Sequence, residues 1–145
     1  MQRILGIETS CDDTAVAVIT STGKILSNIL SSQDDFHAKY GGIVPEVASR
    51  KHLELISVVV QEALTSAETT LSEIDLIAVT HGPGLVGSLL IGVDYAKTLS
   101  SLLGKPIIGV NHLEGHLLSP ALLHPEICLP FLGVIVSGGH TQCIL

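Results

Sequence analysis

With 145 residues, 46% of them apolar and only 14% charged, the chain can bury the core of one globular domain and is not intrinsically disordered. Seven basic against fourteen acidic residues give a formal net charge of −7, which argues against a surface built throughout to bind nucleic acid. Three cysteines without a CxxC pair indicate no disulfide framework and favour a reducing compartment.

The apolar segments are short or interrupted. No secretory signal is expected, because Glu8 follows a very short apolar run. The most apolar stretch, residues 74–93, contains Asp75, His81 and Pro83 and does not qualify as a membrane span. We therefore predict a cytoplasmic protein, or a mitochondrial one if it is organellar, with no membrane partner.

The first third of the chain predicts strands and a loop. Residues 3–7, 14–20 and 25–31 are short β-rich runs separated by polar turns, which indicates an antiparallel meander. Residues 33–45 are predicted to form a loop hinged at Gly41-Gly42.

The remainder alternates between helices and strands. The pattern predicts helices at residues 45–67, 84–103 and 112–123, and buried strands at 74–80 and 107–110. A last strand at residues 131–136, a Gly-Gly turn and a partner strand beginning at Thr141 follow. This order predicts an α/β protein with a mixed sheet and helices on its faces.

The first and last predicted hairpins share a spacing. Gly6, Ser10 and Thr14 are matched by the sequence Gly-Val-Ile-Val-Ser-Gly-Gly-His-Thr at residues 133–141, which suggests a duplicated unit. We predict a first domain at residues 1–130 and, at residues 131–145, the opening hairpin of a second domain that is mostly absent.

Glu8, Asp12 and Asp13 place three carboxylates in the first hairpin turn. They could hold magnesium against a phosphate, or orient a substrate hydroxyl or amine. Acidic residues are also ordinary turn formers, so both interpretations remain open.

His112 and His116 directly follow a predicted buried strand. On a helix, side chains four residues apart lie one above the other, so both imidazoles can reach one metal ion. At the carboxyl end of a strand, such a pair lies where open α/β sheets form their ligand crevices. The alternative is two ordinary surface histidines.

Two glycine-rich turns are candidates for ligand contact. Residues 81–87 join a strand to a helix without the Gly-Lys-Ser/Thr of a P-loop, and packing explains most of their glycines. Residues 136–141 contain two adjacent glycines that let backbone approach a nucleotide, although a plain hairpin turn has the same sequence features.

The few cations cluster in sequence. Lys39, Arg50 and Lys51 flank a glycine-containing loop and are either a local basic patch or, as the alternative, part of a solvated loop and helix start.

Taken together, five stretches resemble the TsaD (Gcp/YgjD) family, which forms threonylcarbamoyladenosine next to the tRNA anticodon. They recur in family order at residues 6–14, 40–46, 82–89, 111–116 and 136–142.

The resemblance implies an actin-like, sugar-kinase-like (ribonuclease H-like) ATPase fold and a site. His112 and His116 would bind one divalent metal ion, iron or zinc. Asp12 and Asp13 would lie near the reacting centre as catalytic residues; the family often has Glu at the position of Asp13. The residues lining the threonylcarbamoyl-AMP or ATP-type nucleotide site would be Ile135, Val136, Ser137, Gly138 and Gly139.

The resemblance also implies the reaction and the partners. The enzyme would be an acyltransferase that moves threonylcarbamoyl from its adenylate to N6 of adenosine in ANN-decoding tRNA. Its partners would be a shorter paralogue and an ATPase subunit, with homodimers or heterodimers formed through the N-terminal domain. The tRNA would be contacted through Lys39, Arg50 and Lys51. Family members are more than twice as long and carry a third metal ligand, an aspartate, in the remainder, so we expect an N-terminal fragment.

Two other functions stay open. A non-catalytic scaffold like the shorter paralogue would have no chemical need for the two histidines. A metalloprotease is least favoured, because zinc proteases use His-Glu-x-x-His, whereas Glu114 is two residues after His112.

Overall fold

The computed structural model describes residues 1–124, 126–136 and 141–145. In these ranges the main elements are β1 (Arg3–Glu8), β2 (Thr14–Thr20), β3 (Ile25–Ser31), α1 (Asp34–His37), α2 (Pro45–Ser66), β4 (Leu76–Gly82), α3 (Val86–Leu103), β5 (Ile107–Asn111), α4 (His112–Leu118), β6 (Gly133–Val136) and β7 (Thr141–Ile144). Short 3-10 turns lie at Ala38–Tyr40, Leu71–Glu73 and Ser119–Leu122.

Five strands form one mixed sheet in the order β3-β2-β1-β4-β5. The β1–β2 and β2–β3 pairs are antiparallel, as the predicted meander requires, whereas β1–β4 and β4–β5 are parallel. The prediction of a mixed sheet with helices is therefore confirmed. Because β1, β4 and β5 run in the same direction, their carboxyl ends meet at one edge of the sheet.

Buried and less buried side chains alternate along β1 and β2, so that one face of the sheet is packed and the other is more open. In β2, Val16 and Val18 are buried between less buried neighbours, and in β1 Leu5 and Ile7 follow the same pattern. These side chains pack with the apolar stripe of α2 that includes Ile56 and with Ala96 of α3, which makes one continuous core.

The two long helices begin and end as their sequences predict. Pro45 lies in the first turn of α2, where its missing N–H leaves no helical hydrogen bond unmade. Gly104 follows α3 in the left-handed conformation and ends it. None of the helices in the described ranges combines the length and apolarity needed to cross a membrane.

The prediction of a loop at residues 33–45 was wrong in part, because α1 and a 3-10 turn occupy its first half. Buried Gln33 accepts a hydrogen bond from His37 Nε2 at 3.2 Å and donates one to the Ala48 carbonyl at 3.4 Å. The Val44 amide donates to His37 Nδ1 at 3.3 Å. This buried polar cluster orders a polar stretch that has no apolar periodicity for sequence analysis to detect.

The second hairpin has the same register as the first. Gly6 pairs with Ala17 and Gly133 with Ile144, and both differences, 133 − 6 and 144 − 17, equal 127. Thr14 and Thr141 begin the second strand in each case. The shared spacing read from the sequence therefore corresponds to shared backbone pairing.

Candidate functional site

The carboxyl ends of the three parallel strands bring distant polar residues together. Glu8 ends β1, Gly82 ends β4 and Asn111 ends β5, and α4 begins immediately after Asn111. Crevices outside such strand ends are the usual ligand sites of open α/β sheets.

Asn111 starts α4 by capping it. Its side-chain oxygen accepts the backbone N–H groups of Leu113 at 2.9 Å and Glu114 at 3.4 Å. This cap satisfies amides that have no helical partner and places His112 at the first helical position.

The two histidines converge as their spacing predicts. Nε2 of His112 and Nε2 of His116 are 3.2 Å apart, and the rings meet edge to face with centroids 4.5 Å apart. Two nitrogens bound at 2.0–2.1 Å to one tetrahedral zinc lie about 3.3–3.4 Å apart. The pair therefore already has the separation of two corners of a metal tetrahedron.

The other ring nitrogen of His112 faces oxygens from the β1–β2 turn. Nδ1 lies 3.0 Å from the Ser10 hydroxyl and 3.1 Å from a carboxylate oxygen of Glu8. Residues more than a hundred positions apart in sequence thus share one hydrogen-bonded cluster.

Glu8 is kept ionised in this cluster. Partial burial acts to raise its pKa, but hydrogen bonds from the side chain of Ser10, from Thr80, from the Ser10 amide and from His112 outweigh burial and lower the pKa below its usual value. A negative charge is therefore fixed beside His112 at neutral pH.

The β1–β2 turn that carries Asp12 and Asp13 is anchored from two sides. Buried His52 of α2 contacts the Cys11 carbonyl and the Thr14 hydroxyl. One carboxylate oxygen of Asp13 is buried without a hydrogen-bond partner in the described ranges. Both predicted catalytic aspartates therefore lie in the turn that also supplies Ser10 to His112.

The glycine-rich stretch after β4 packs directly on this turn. The Leu85 amide donates a 2.7 Å hydrogen bond to the Ser10 carbonyl, and a Cβ at Gly84 would overlap that same carbonyl oxygen. Gly84 is thus required for close approach of two backbones, in agreement with the packing role that its sequence indicates.

A cleft of about 490 Å³ opens beside the histidines. Its walls come from the first turn, the stretch after β4, α4 and β6, and are lined by Cys11, Pro83, Gly84, His112, Leu113, His116, Val134, Ile135 and Val136. The structure therefore places Ile135 and Val136, two predicted nucleotide contacts, in one cleft with the histidine pair. The other predicted contacts, Ser137, Gly138 and Gly139, lie outside the described residues.

The donor set fits part of a metal site. Two imidazole nitrogens are correctly spaced, and a carboxylate contacts the far nitrogen of one of them, as is usual for histidine ligands. Across residues 1–124, 126–136 and 141–145, no group of three or more His, Cys, Asp or Glu side chains forms a complete binding cluster. A metal ion bound by the two histidines would need further ligands from outside these residues.

Sequence analysis singled out Glu8, but it missed the contacts of Glu8 and Ser10 with His112, the contact of Thr80 with Glu8 and the anchoring of the turn by His52. Ser10 and Thr80 carry no catalytic motif, and His52 looks like one polar position on an amphipathic helix. The only sequence signal was that Glu8 follows directly from a buried strand.

The three predicted tRNA-contact cations differ in their surroundings. Lys51 forms a 2.6 Å ion pair with Glu54 and lies 4.6 Å from the centroid of the Phe36 ring. Lys39 and Arg50 are exposed, and neither forms an ion pair with another described residue.

Comparison with known proteins gives a consistent picture. The family model described as "TsaD: tRNA N6-adenosine threonylcarbamoyltransferase" matches residues 24–145. A Clostridium kluyveri protein named tRNA N6-adenosine threonylcarbamoyltransferase is 56% identical over 142 residues, covering 98% of this chain and 42% of that protein. A protein of the same name from Clostridium perfringens is 58% identical over 138 residues, covering 95% and 41%. The chain thus spans about two fifths of the length of these curated relatives.

Solved structures agree on the fold. YeaZ from Pseudomonas aeruginosa matches 99% of this chain and 65% of its own with a TM-score of 0.63 at 18% identity. A second structure, described as an uncharacterized protein with similarity to peptidase YEAZ from P. aeruginosa, has the same TM-score and identity and is matched over 64% of its length. The predicted actin-like, ribonuclease H-like architecture is confirmed.

Proposed function

Because the chain belongs to the TsaD family, tRNA N6-adenosine threonylcarbamoyltransferase, we propose that it forms the N-terminal part of the active site of such an acyltransferase. The observation that carries this proposal is the convergence of two imidazole nitrogens, 3.2 Å apart, at the carboxyl edge of the parallel strands. Residues 1–130 form the first domain in this proposal, and residues 131–145 open a second one.

We assign His112 and His116 as ligands of one divalent metal ion, iron or zinc. When bound, the metal supplies Lewis acidity and a template for the threonylcarbamoyl group. Two histidines are fewer than the three protein ligands typical of a catalytic zinc site, so we assign the third ligand to a part of the family's longer proteins that these 145 residues do not include.

The transfer of threonylcarbamoyl to N6 indicates which roles the other site residues would have. N6 of adenosine forms a bond to the carbamoyl carbon, the bond from that carbon to the phosphate oxygen breaks, AMP leaves and N6 loses a proton. We assign Asp12 and Asp13 to orient the amine and accept that proton, because the turn holds a buried carboxylate oxygen without a protein partner in the described ranges. Ile135 and Val136, followed by Ser137, Gly138 and Gly139, are proposed to contact threonylcarbamoyl-AMP or an ATP-type nucleotide.

We infer the partners from the family as well. They are an ANN-decoding tRNA, an ATPase subunit and a shorter paralogue, with which the first domain forms a dimer. The proposed tRNA substrate favours a cytoplasmic location. So do the cysteines, which form no disulfide framework and are typical of a protein in a reducing compartment.

Metal content tests the assigned ligands. A full-length family enzyme that contains these residues, purified without chelator and analysed by elemental mass spectrometry, is expected to hold about one iron or zinc per chain, and its His112→Ala/His116→Ala variant is expected to hold none. Equal metal in both proteins would contradict the ligand assignment.

Transfer is tested with the bound metal, threonylcarbamoyl-AMP and an ANN-decoding tRNA. The modified nucleoside, measured by mass spectrometry after digestion of the tRNA, is expected with a full-length family enzyme that contains these 145 residues and is expected to be lost in its double histidine variant. Product that persists undiminished in the variant would show that the histidines have no part in the reaction.

The two alternatives fit the structure less well. A scaffold requires neither the matched imidazole spacing nor the carboxylate behind His112. A protease of the His-Glu-x-x-His type requires a glutamate beside the first ligand, whereas Leu113 occupies that position and Glu114 is exposed.

A further inference from the structure

We propose that Glu8 is a positioning residue which, together with Ser10, holds His112 in the Nδ1–H tautomer and so presents its Nε2 lone pair to the metal. The inference rests on the proposed metal site but concerns residues that the family resemblance did not assign.

The tautomer follows from the partners of Nδ1. A carboxylate oxygen of Glu8, 3.1 Å away, can only accept a hydrogen bond, so the nitrogen that faces it has to carry the proton. With the proton on Nδ1, the Ser10 oxygen at 3.0 Å also accepts, and its hydroxyl hydrogen stays free for the Glu8 carboxylate. The opposite tautomer would direct a nitrogen lone pair at a negative oxygen.

The position of Glu8 makes it a supporting group and not a ligand. It contacts Nδ1 of His112, whereas His116 faces Nε2 of the same ring at 3.2 Å. The two nitrogens point away from each other across the imidazole, so a metal shared by His112 and His116 lies on the side remote from the carboxylate. Outer-shell carboxylates of this kind fix the ring orientation and raise the basicity of the ligand.

Glu8 is itself held in place. Its second oxygen accepts the Ser10 amide, and the hydroxyls of Ser10 and Thr80 also contact the carboxylate. Because Glu8 ends β1 and Thr80 belongs to β4, two neighbouring strands of the central sheet aim the carboxylate at His112. A charge positioned this firmly has little freedom to turn away from the ring.

The test compares three variants with one matched control. Glu8→Ala removes the acceptor, Glu8→Gln keeps the shape and an acceptor oxygen without the charge, and Ser10→Ala removes the second oxygen. The control is Glu114→Gln, which removes the same charge from an exposed position on α4. Thermal unfolding and circular dichroism identify any variant that fails to fold.

The first readout is zinc affinity, measured by competition with a chromophoric chelator. Loss of an outer-shell partner typically lowers metal affinity 10–100-fold, and we expect that range for Glu8→Ala and a smaller decrease for Glu8→Gln. Glu114→Gln is expected to bind like the wild type. Equal affinity in wild type, Glu8→Ala and Glu8→Gln would overturn the inference, and so would an equal decrease in Glu114→Gln.

The second readout requires no metal. Long-range nitrogen–proton NMR of the metal-free chain distinguishes the two histidine tautomers directly. His112 is expected as Nδ1–H in the wild type, with a shift towards Nε2–H in Glu8→Ala. A wild type already in the Nε2–H form would overturn the inference, even if the metal site were real. A wild type in the Nδ1–H form that binds no zinc would contradict the metal site and leave the role of Glu8 in setting the tautomer supported.

Discussion

His52 shows how one buried polar residue supports a turn far from it in sequence. The Cys11 carbonyl, 3.0 Å from Nε2, can only accept, so His52 donates there, and its Nδ1 then accepts from the Thr14 hydroxyl at 2.8 Å. Both nitrogens of a fully buried ring are thereby satisfied. The residue links α2 to both sides of the turn that carries the candidate aspartates.

His52→Ala is expected to destabilise the chain by about 3 kcal/mol. The substitution leaves the buried Thr14 hydroxyl and the partly buried Cys11 carbonyl without partners and opens a cavity in a packed region. Urea unfolding followed by circular dichroism measures the change.

The matched control is Leu53→Ala, which alters the next residue of α2. Leu53 is 65% exposed, so its truncation is expected to change stability by no more than about 0.5 kcal/mol. Similar losses in both variants would show that the His52 contacts contribute nothing specific.

At the scale of elements, α3 packs closely against the carboxyl end of β1. This packing fixes the edge of the sheet at which the candidate site lies. The Thr9 hydroxyl donates to the Ser88 carbonyl of α3 at 2.8 Å, and a Cβ on Gly92, one turn further along, would overlap that hydroxyl oxygen. Thr9 is fully buried and cannot rotate away without losing its hydrogen bond. Gly92 therefore lowers the local helix propensity of α3 but allows Thr9 to pack directly against the helix.

Gly92→Ala is consequently expected to lower stability although alanine is the better helix former. The gain in helix propensity is about 1 kcal/mol, whereas overpacking typically destabilises by about 1–3 kcal/mol. We expect a net loss, measurable as a lower midpoint of urea unfolding.

Gly115→Ala in α4 separates the two effects. Apart from its own helix, no described atom lies within 4 Å of a Cβ at Gly115, so only the propensity gain applies and stability should rise or stay unchanged. A stabilised Gly92→Ala variant would contradict the packing argument.

For the whole molecule, the distribution of charge decides how an acidic chain could meet tRNA. The formal charge of −7 opposes binding, so contact has to be local. Of the three predicted cations, Lys51 is already paired with Glu54 at 2.6 Å, while Lys39 and Arg50 remain exposed. We therefore expect Lys39 and Arg50 to contribute more than Lys51 to the proposed tRNA contact.

Reversing Lys39 and Arg50 to Glu is expected to weaken tRNA binding. Two lost phosphate contacts should lower the slope of log affinity against log salt concentration by about 2. Binding titrations at several salt concentrations measure this slope, with Lys51→Glu as the control of smaller effect. An unchanged slope in the double variant would exclude these residues from the tRNA contact.

The sequence alone determined the order of the strands, the approximate limits of the two long helices and the spacing of the histidine pair, but it missed the short helix α1. These features depend on local periodicity, turn residues and helix geometry, which neighbouring residues set among themselves. The shared spacing of the two hairpins was also visible, and identical pairing offsets confirm it in the backbone. The assigned roles of Asp12, Asp13 and the nucleotide-contact residues stay predictions.

Only the tertiary structure decided what surrounds those residues. Parallel pairing of β1 with β4, and of β4 with β5, brings Glu8 and Ser10 to His112 across more than a hundred residues of sequence. The contacts of buried His52 leave no periodic signal, because Cys11 and Thr14 lie outside α2. Those of His37 leave none, because they join polar groups of a stretch without apolar periodicity. Local patterns carry no information on which strands pair, and strand pairing is what places one carboxylate behind one imidazole.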